Sequence, residues 1–309
     1  MNPLLAKASW MDRDDIRPYV FVRPENQIAH PGSVHRLDWF EKSPVFKNPL
    51  DISEISFADR LYSLEERAFG PSNMAMPRWV FYDCAVMPGF VAGFAAKPSA
   101  LTKEMREVLD PKKFPATGSP IKTSKVLKEV TSLDDMDWVP LSLFIIIPTM
   151  HKGEWVAHNL CSVNSLLPDG GLYGLGFLSK AFGLWYANVE QCSGMTQWGS
   201  PALKLHSHYG HLEVIGAYAP VHSHAKTITY RVQVNTNCWE KFFNKEPDLA
   251  FLENYGPTGK HIDPKSEESM LDFQHRIERH EGPFFLNAAE IAKKKLDEEL
   301  MIYSLKQQY

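Results

Sequence analysis

Cysteine is scarce in this 309-residue chain: there are four, Cys84, Cys161, Cys192 and Cys238, and no two form a C-x-x-C pair. That speaks against a disulfide framework and leads to the expectation of a reduced, cytoplasmic protein. An excess of positive charge is also missing. Lys and Arg number 33 against 37 Asp and Glu, a formal net charge of −4, so no general attraction to nucleic acid is expected. The one tight basic cluster, Lys293 to Lys295, shares an expected helix with Asp297, Glu298 and Glu299 and reads as a solvated face. Long apolar runs are lacking too. The stretch Leu141 to Pro148 is far too short to span a bilayer, and residues 1 to 15 lack the apolar core of a signal peptide. No membrane contact is expected. Internal repeats and low-complexity tracts are absent.

What the chain does have is ordinary globular material: 44% hydrophobic and 23% charged residues, enough for a core that needs no staples. Residues 1 to about 50 read as an extended arm with one strand at Tyr19 to Val22. Phe57, Leu61, Leu64 and Ala68 recur at helical spacing, and Gly70-Pro71 ends that helix. Trp79 to Ala96, broken at Pro88-Gly89, predicts two strands and a turn. A helix is expected over about 100–109, and a short strand or helix near 124–130. Strands are expected at Trp138 to Pro148, Glu154 to Leu167, Leu212 to Tyr218 and Thr227 to Val234. Leu203 to His208 alternates apolar and polar residues, the period of a half-exposed strand. Leu175 to Asn188 fits a helix or two short strands. Helices are expected at 267–280 and 287–305, the second with Asn287 and Glu290 as a capping box.

The most informative stretch is Gly171-Leu-Tyr-Gly-Leu-Gly-Phe-Leu-Ser-Lys180-Ala-Phe-Gly183. It sets one lysine among apolar and small residues. Burying an ammonium is costly, and desolvation favours its neutral, nucleophilic form. Lys180 is therefore the first candidate for chemistry. The competing reading is a surface lysine whose stem covers apolar neighbours.

Several segments, taken in order, resemble the acetoacetate decarboxylase superfamily. They are Phe90 to Lys103, Val139-Pro140-Leu141, Lys152-Gly153-Glu154-Trp155, Asn164, the run Gly171, Gly176, Phe177 and Lys180, and Tyr209-Gly-His-Leu-Glu-Val214. The resemblance covers about residues 77 to 235. It implies an α+β protein with a central antiparallel, barrel-like sheet, which would be flanked by an arm and helix (1–76) and a helical tail (236–309). It implies Schiff-base chemistry on a keto acid or related carbonyl substrate, with no external cofactor. Lys180 would be the imine lysine, and Asp134 or Glu154 would orient the substrate carboxylate or handle a proton. Tyr173, Phe177, Ser179 and His206 would line the substrate site, and a homo-oligomer is expected. The chain departs from the pattern at Leu172 and Tyr173, which replace Arg and Glu. In the gap-free register Ser179 takes the nucleophile position, and a one-residue slip gives it to Lys180.

The same glycines also resemble the pyrophosphate loop of the GCN5-related N-acetyltransferases, through Leu166-Leu-Pro-Asp-Gly-Gly171-Leu-Tyr-Gly174-Leu-Gly176. Gly171 stands where that family has Arg or Gln. Ala202-x-x-Leu205-His206-x-x-x-Gly210 resembles the family's following helix, with His206 in place of a tyrosine general acid. That resemblance implies an acyl-coenzyme A donor held at a helix N-terminus. The strand-like alternation through Lys204, His206 and His208 speaks against that helix, and Asp169 would stand close to the pyrophosphate. A non-catalytic small-molecule-binding protein is a third alternative. His206-x-His208 with Glu213, and His222-x-His224, have chelating spacing on a strand, but solvated or hydrogen-bonded histidines are the default and no metal is expected.

Overall fold

The computed structural model describes residues 3–40, 42–72, 74–87, 89–110, 132–219, 226–236 and 239–306. The element expected near residues 124–130, along with His222, His224 and Cys238, lies outside the described residues. The chain divides into two compact units.

The first unit comprises Leu4–Thr149 and Ala157–Asn188. Its elements are α1 (Pro3–Lys7), β1 (Ile16–Phe21), β2 (Val45–Lys47), α2 (Ile55–Phe69), α3 (Arg78–Val86), β3 (Phe90–Ala96), α4 (Lys103–Leu109), β4 (Val139–Pro140), β5 (Ser142–Pro148), β6 (Glu154–Ser162, counted here from Ala157) and α5 (Leu175–Tyr186). The strands run in the order β6-β5-β3-β1-β2, with β4 on β3. β3 is antiparallel to β1 and β5, and β2 joins β1 in parallel. Every residue of β3 is buried, and α3 and α5 both pack on β3 and β5. That covering explains why Phe90 to Ala96 is a continuous apolar run without alternation.

A chain of buried hydrogen bonds ties these elements together. The Phe94 N–H donates to Ser142 Oγ (3.0 Å), Ser142 Oγ to Ser179 Oγ (2.7 Å), and Ser179 Oγ to the Leu175 carbonyl (2.6 Å). In this direction each hydroxyl donates once and accepts once, so neither serine is buried unsatisfied. The Tyr19 hydroxyl donates to the Ser142 carbonyl at 2.7 Å.

The second unit comprises Met1–Pro3, Met150–Val156 and Val189–Tyr309. Its further elements are β7 (Gln191–Gln197), α6 (Pro201–Ser207), β8 (Leu212–Gly216), β9 (Thr227–Gln233), α7 (Trp239–Phe243), α8 (Leu249–Asn254), β10 (Tyr255–Ile262), α9 (Glu267–Glu278), β11 (Phe284–Leu286), α10 (Ala288–Lys293) and β12 (Leu300–Leu305). The strands run β10-β12-β11-β8-β9-β7. Their pairings from β10 through β7 are antiparallel.

The protein is mixed α+β, as expected, but the sheet is open. Among the described residues no pairing closes either run of strands into a barrel. Three local expectations also change, and one open alternative is resolved, that for 175–188. Residues 79–86 form α3 in place of a strand, with Phe81 and Ala85 buried one helical turn apart and Trp79 exposed. A short apolar run has no period of its own to decide between the two. Residues 203–207 are helical in α6: Ser200 caps the Ala202 N–H and Pro201 takes the first turn, a start signal stronger than the two-residue alternation. Residues 175–186 are one helix. The helix expected over 287–305 stops at Lys293, and 300–305 form β12, held between β10 and β11. Asn287 does cap that helix, but Glu290 Oε1 accepts the Met301 N–H (2.9 Å), so the carboxylate holds the start of β12. Strand pairing with two partners overrides helix propensity there. Among the described residues no helix is long and apolar enough to cross a membrane.

Candidate functional site

The loop between β6 and α5 is built to present a helix N-terminus. Asn164 grips it with both ends of its amide. Nδ2 donates to the Leu172 carbonyl (2.8 Å), and Oδ1 accepts the Leu172 N–H (3.1 Å). A side chain at Gly171 would put its Cβ 2.5 Å from that same Oδ1, so glycine is required for the close approach. The Trp10 indole donates to the Tyr173 carbonyl at 2.9 Å. Gly174 then caps α5 at φ 74°, a left-handed conformation that favours glycine, and no side chain caps the helix. The first N–H groups of a helix have no intrahelical acceptor. Gly174 and the half-buried Gly176 leave little side chain over them. The exposed Lys7 brings its ammonium to 5.3 Å from the Tyr173 ring, which adds a cation beside the loop. Asp169 lies exposed in the turn before Gly170.

Past its first turn, α5 is almost wholly interior. Lys180 has no exposed surface, and its ammonium lies 5.8 Å from the centre of the Phe144 ring. Ser179 is committed to the buried hydrogen-bond chain, and Phe177 is buried in the first turn. Tyr173 is half exposed. Asp134 is held elsewhere: it is mostly exposed and ion-paired to Arg106 at 2.8 Å, an arrangement that joins α4 to the turn at Leu133–Asp135. Tyr173, Phe177, Ser179 and Lys180 are thus brought into one loop-and-helix segment, and Asp134 serves a surface ion pair.

In the second unit, Glu154 is half-buried at the start of β6, and its charge helps raise the Arg231 guanidinium, whose main partner is Glu213. His206 is buried on α6, its ring 5.1 Å from that of Tyr230. On a helix, His206 and His208 no longer share the strand face that a two-residue chelate requires. No cluster of metal-ligating side chains occurs among the described residues. Cys84, Cys161 and Cys192 form no disulfide: burial raises the thiols of Cys84 and Cys161, and Cys192 has no exposed surface.

Three features were not anticipated from the sequence. Asn164 and Trp10 brace the loop from outside the glycine motif. Glu65, on α2, is a fully buried carboxyl that accepts the Met76 N–H (3.1 Å) and Asn159 Nδ2 (2.8 Å), and burial pushes it up to about 7. Its only sequence signal was an acidic residue within the apolar spacing of the helix.

No protein-family profile matches this chain, and no curated protein matches it. Among solved structures, the ribosomal-protein-S18-alanine N-acetyltransferase from Escherichia coli matches 60% of this chain and 92% of that chain, at a TM-score of 0.37 and 11% identity. At that score the likeness carries no argument about function. The resemblance to the acetoacetate decarboxylase superfamily does not hold: among the described residues the sheet is open where that resemblance required a barrel, and no family profile matches.

Proposed function

We propose that the 171–176 loop holds the diphosphate of an acyl-coenzyme A and that the chain transfers the acyl group to an amine. The observation that carries this reading is the tied-back loop. Asn164 and Trp10 donate to the carbonyls of Leu172 and Tyr173; the Leu175 N–H also donates to the Leu172 carbonyl (3.1 Å), which leaves the next N–H of α5, at Gly176, as the polar face of the loop. A twelve-residue helix with an uncapped, glycine-bearing N-terminus favours an anion through aligned N–H groups and the helix dipole. Lys7 adds a positive charge nearby. In the transfer, the amine nitrogen attacks the thioester carbonyl, the thiolate leaves, and the amine gives up a proton.

The test is coenzyme A binding by calorimetry and by thermal protection. Wild-type protein is expected to bind with an affinity that falls as salt rises. Gly176→Asp places a carboxylate in the first turn, where the helix dipole tolerates it but an incoming phosphate does not. That variant should stay folded and lose binding. Absence of any coenzyme A response in folded wild-type protein rejects the reading. Binding without turnover on any amine would support the non-catalytic alternative. Imine chemistry at Lys180 requires a carbonyl compound to reach an amine with no exposed surface. Borohydride trapping with a panel of keto acids tests it directly, and an adduct on Lys180 would support it.

A further inference from the structure

The first unit contains a cavity of about 250 Å³ away from the glycine loop, between the N-terminal segment, β1, β3 and the side chains of Trp39, Phe40 and Lys42. No residue of 171–176 lines it. Its buried lining includes Ile16, Phe40 and Phe94; Met11 and Trp39 are half-buried, and Asp12 is exposed. The aromatic side is held in place from behind. Phe40 packs on Phe182 (5.3 Å between ring centres), and Trp10 meets Phe94 edge-on (5.0 Å). A dry cavity of roughly 150 Å³ accommodates benzene, so this one has room for a ring with a small substituent.

The charges around it are unevenly matched. Arg13 is bound to Asp15 at 2.8 Å. Lys42 faces Asp14 at 3.7 Å and donates to the carbonyls of Met11 (2.9 Å) and Arg13 (2.6 Å). Asp12 and Lys42 both line the cavity; the Lys42 ammonium is taken up by Asp14 and the two carbonyls, whereas among the described residues Asp12 makes no ion pair. Aromatic faces and an unneutralised carboxylate both favour a cation over an anion.

From this we infer a second ligand site, independent of the glycine loop, that takes a planar organic cation of about the size of benzamidine. The ring lies among Trp39, Phe40 and Phe94, and the charged end meets Asp12.

Three isosteric probes test the charge and the shape together: benzamidine, the neutral benzamide and the anion benzoate, titrated calorimetrically at low salt. Benzamidine is expected to bind saturably, benzamide about ten-fold more weakly, and benzoate not at all. Asp12→Asn, at an exposed position, should leave the fold intact, weaken benzamidine about five-fold and leave benzamide unchanged. The inference is overturned if benzamidine shows no saturable binding, if benzoate binds as well as benzamidine, or if Asp12→Asn binds benzamidine like wild type.

Discussion

Glu65 in the first unit and Asp248 in the second are both buried carboxyls, and their net shifts are opposite. Glu65 is fully enclosed, and its partners are neutral donors, the Met76 N–H and the Asn159 amide. Burial wins and pushes it up to about 7, with the charge of Glu66 adding to the rise. Asp248 is also raised by burial. That rise is outweighed by the His211 ring (Nε2 at 3.0 Å), the Phe251 N–H (3.3 Å) and the charges of His211 and Lys241, so it sits below the usual carboxylate range. His211 in turn is pushed down by burial, against the pull of Asp248. Its Nδ1 accepts the Ala288 N–H at 3.1 Å, which fixes the proton on Nε2, aimed at Asp248. Neutral donors alone do not keep a buried carboxyl ionised. A partner that can carry charge, together with a capped N–H, does.

The two sites therefore bias stability in opposite directions with pH. Unfolded Glu65 ionises near the ordinary glutamate value of 4.5 and folded Glu65 near 7. Between those values the unfolded chain gives up its proton first, so the Glu65 contribution falls as pH rises. For His211 the unfolded ring protonates first as pH falls below 6.5, and stability is lost on the acid side. The Asp248 contribution is complete above 3.8 and is lost as pH falls further. Amide exchange followed against pH should show protection around α2 rising from pH 7 to 5 while protection around α8 and α10 falls.

Removing a partner breaks the comparison most sharply. Asp248→Ala leaves the His211 Nε2–H without its acceptor and uncaps α8. It should cost roughly 2–4 kcal/mol in urea unfolding, and Asp248→Asn should cost markedly less. Glu65→Gln removes the ionisable group while keeping an acceptor for Asn159. Relative to wild type it should gain about 3 kcal/mol at pH 8 and less than about 0.5 kcal/mol at pH 4.5. Equal effects at the two pH values would mean that Glu65 ionises normally. Asp134→Asn tests an exposed carboxyl. Its pair with Arg106 is worth no more than about 0.5 kcal/mol at any pH, and a larger loss would overturn its assignment as a surface ion pair.

Much of the fold was legible where a single local signal acted alone. The spacing of Phe57, Leu61 and Leu64 gave α2, and the Ile-rich run before Pro148 gave β5. The glycines from 171 to 176 marked the loop that leads into α5. Legibility failed where two local signals conflicted or a distant segment decided. Alternation at Leu203 to His208 concealed a Ser-Pro helix start. Leu300 to Leu305 carries the stripe of a helix, yet pairs with two strands. The braces of the candidate site were invisible for the same reason: Trp10 reaches Tyr173 from 163 residues away, and no periodicity records such a contact.

The sequence by itself determined the mixed α+β character, the lack of a membrane-spanning helix among the described residues and the glycine-bearing entry to α5. These follow from composition and from contacts between near neighbours in the chain. Tertiary structure alone decided that Lys180 is sealed beneath Phe144, that Asp134 is a surface ion pair, that Glu65 is pushed toward neutral pH and that the sheet stays open. Each of these depends on which remote groups exclude water or supply a hydrogen bond, and desolvation and pairing are set by three-dimensional neighbours.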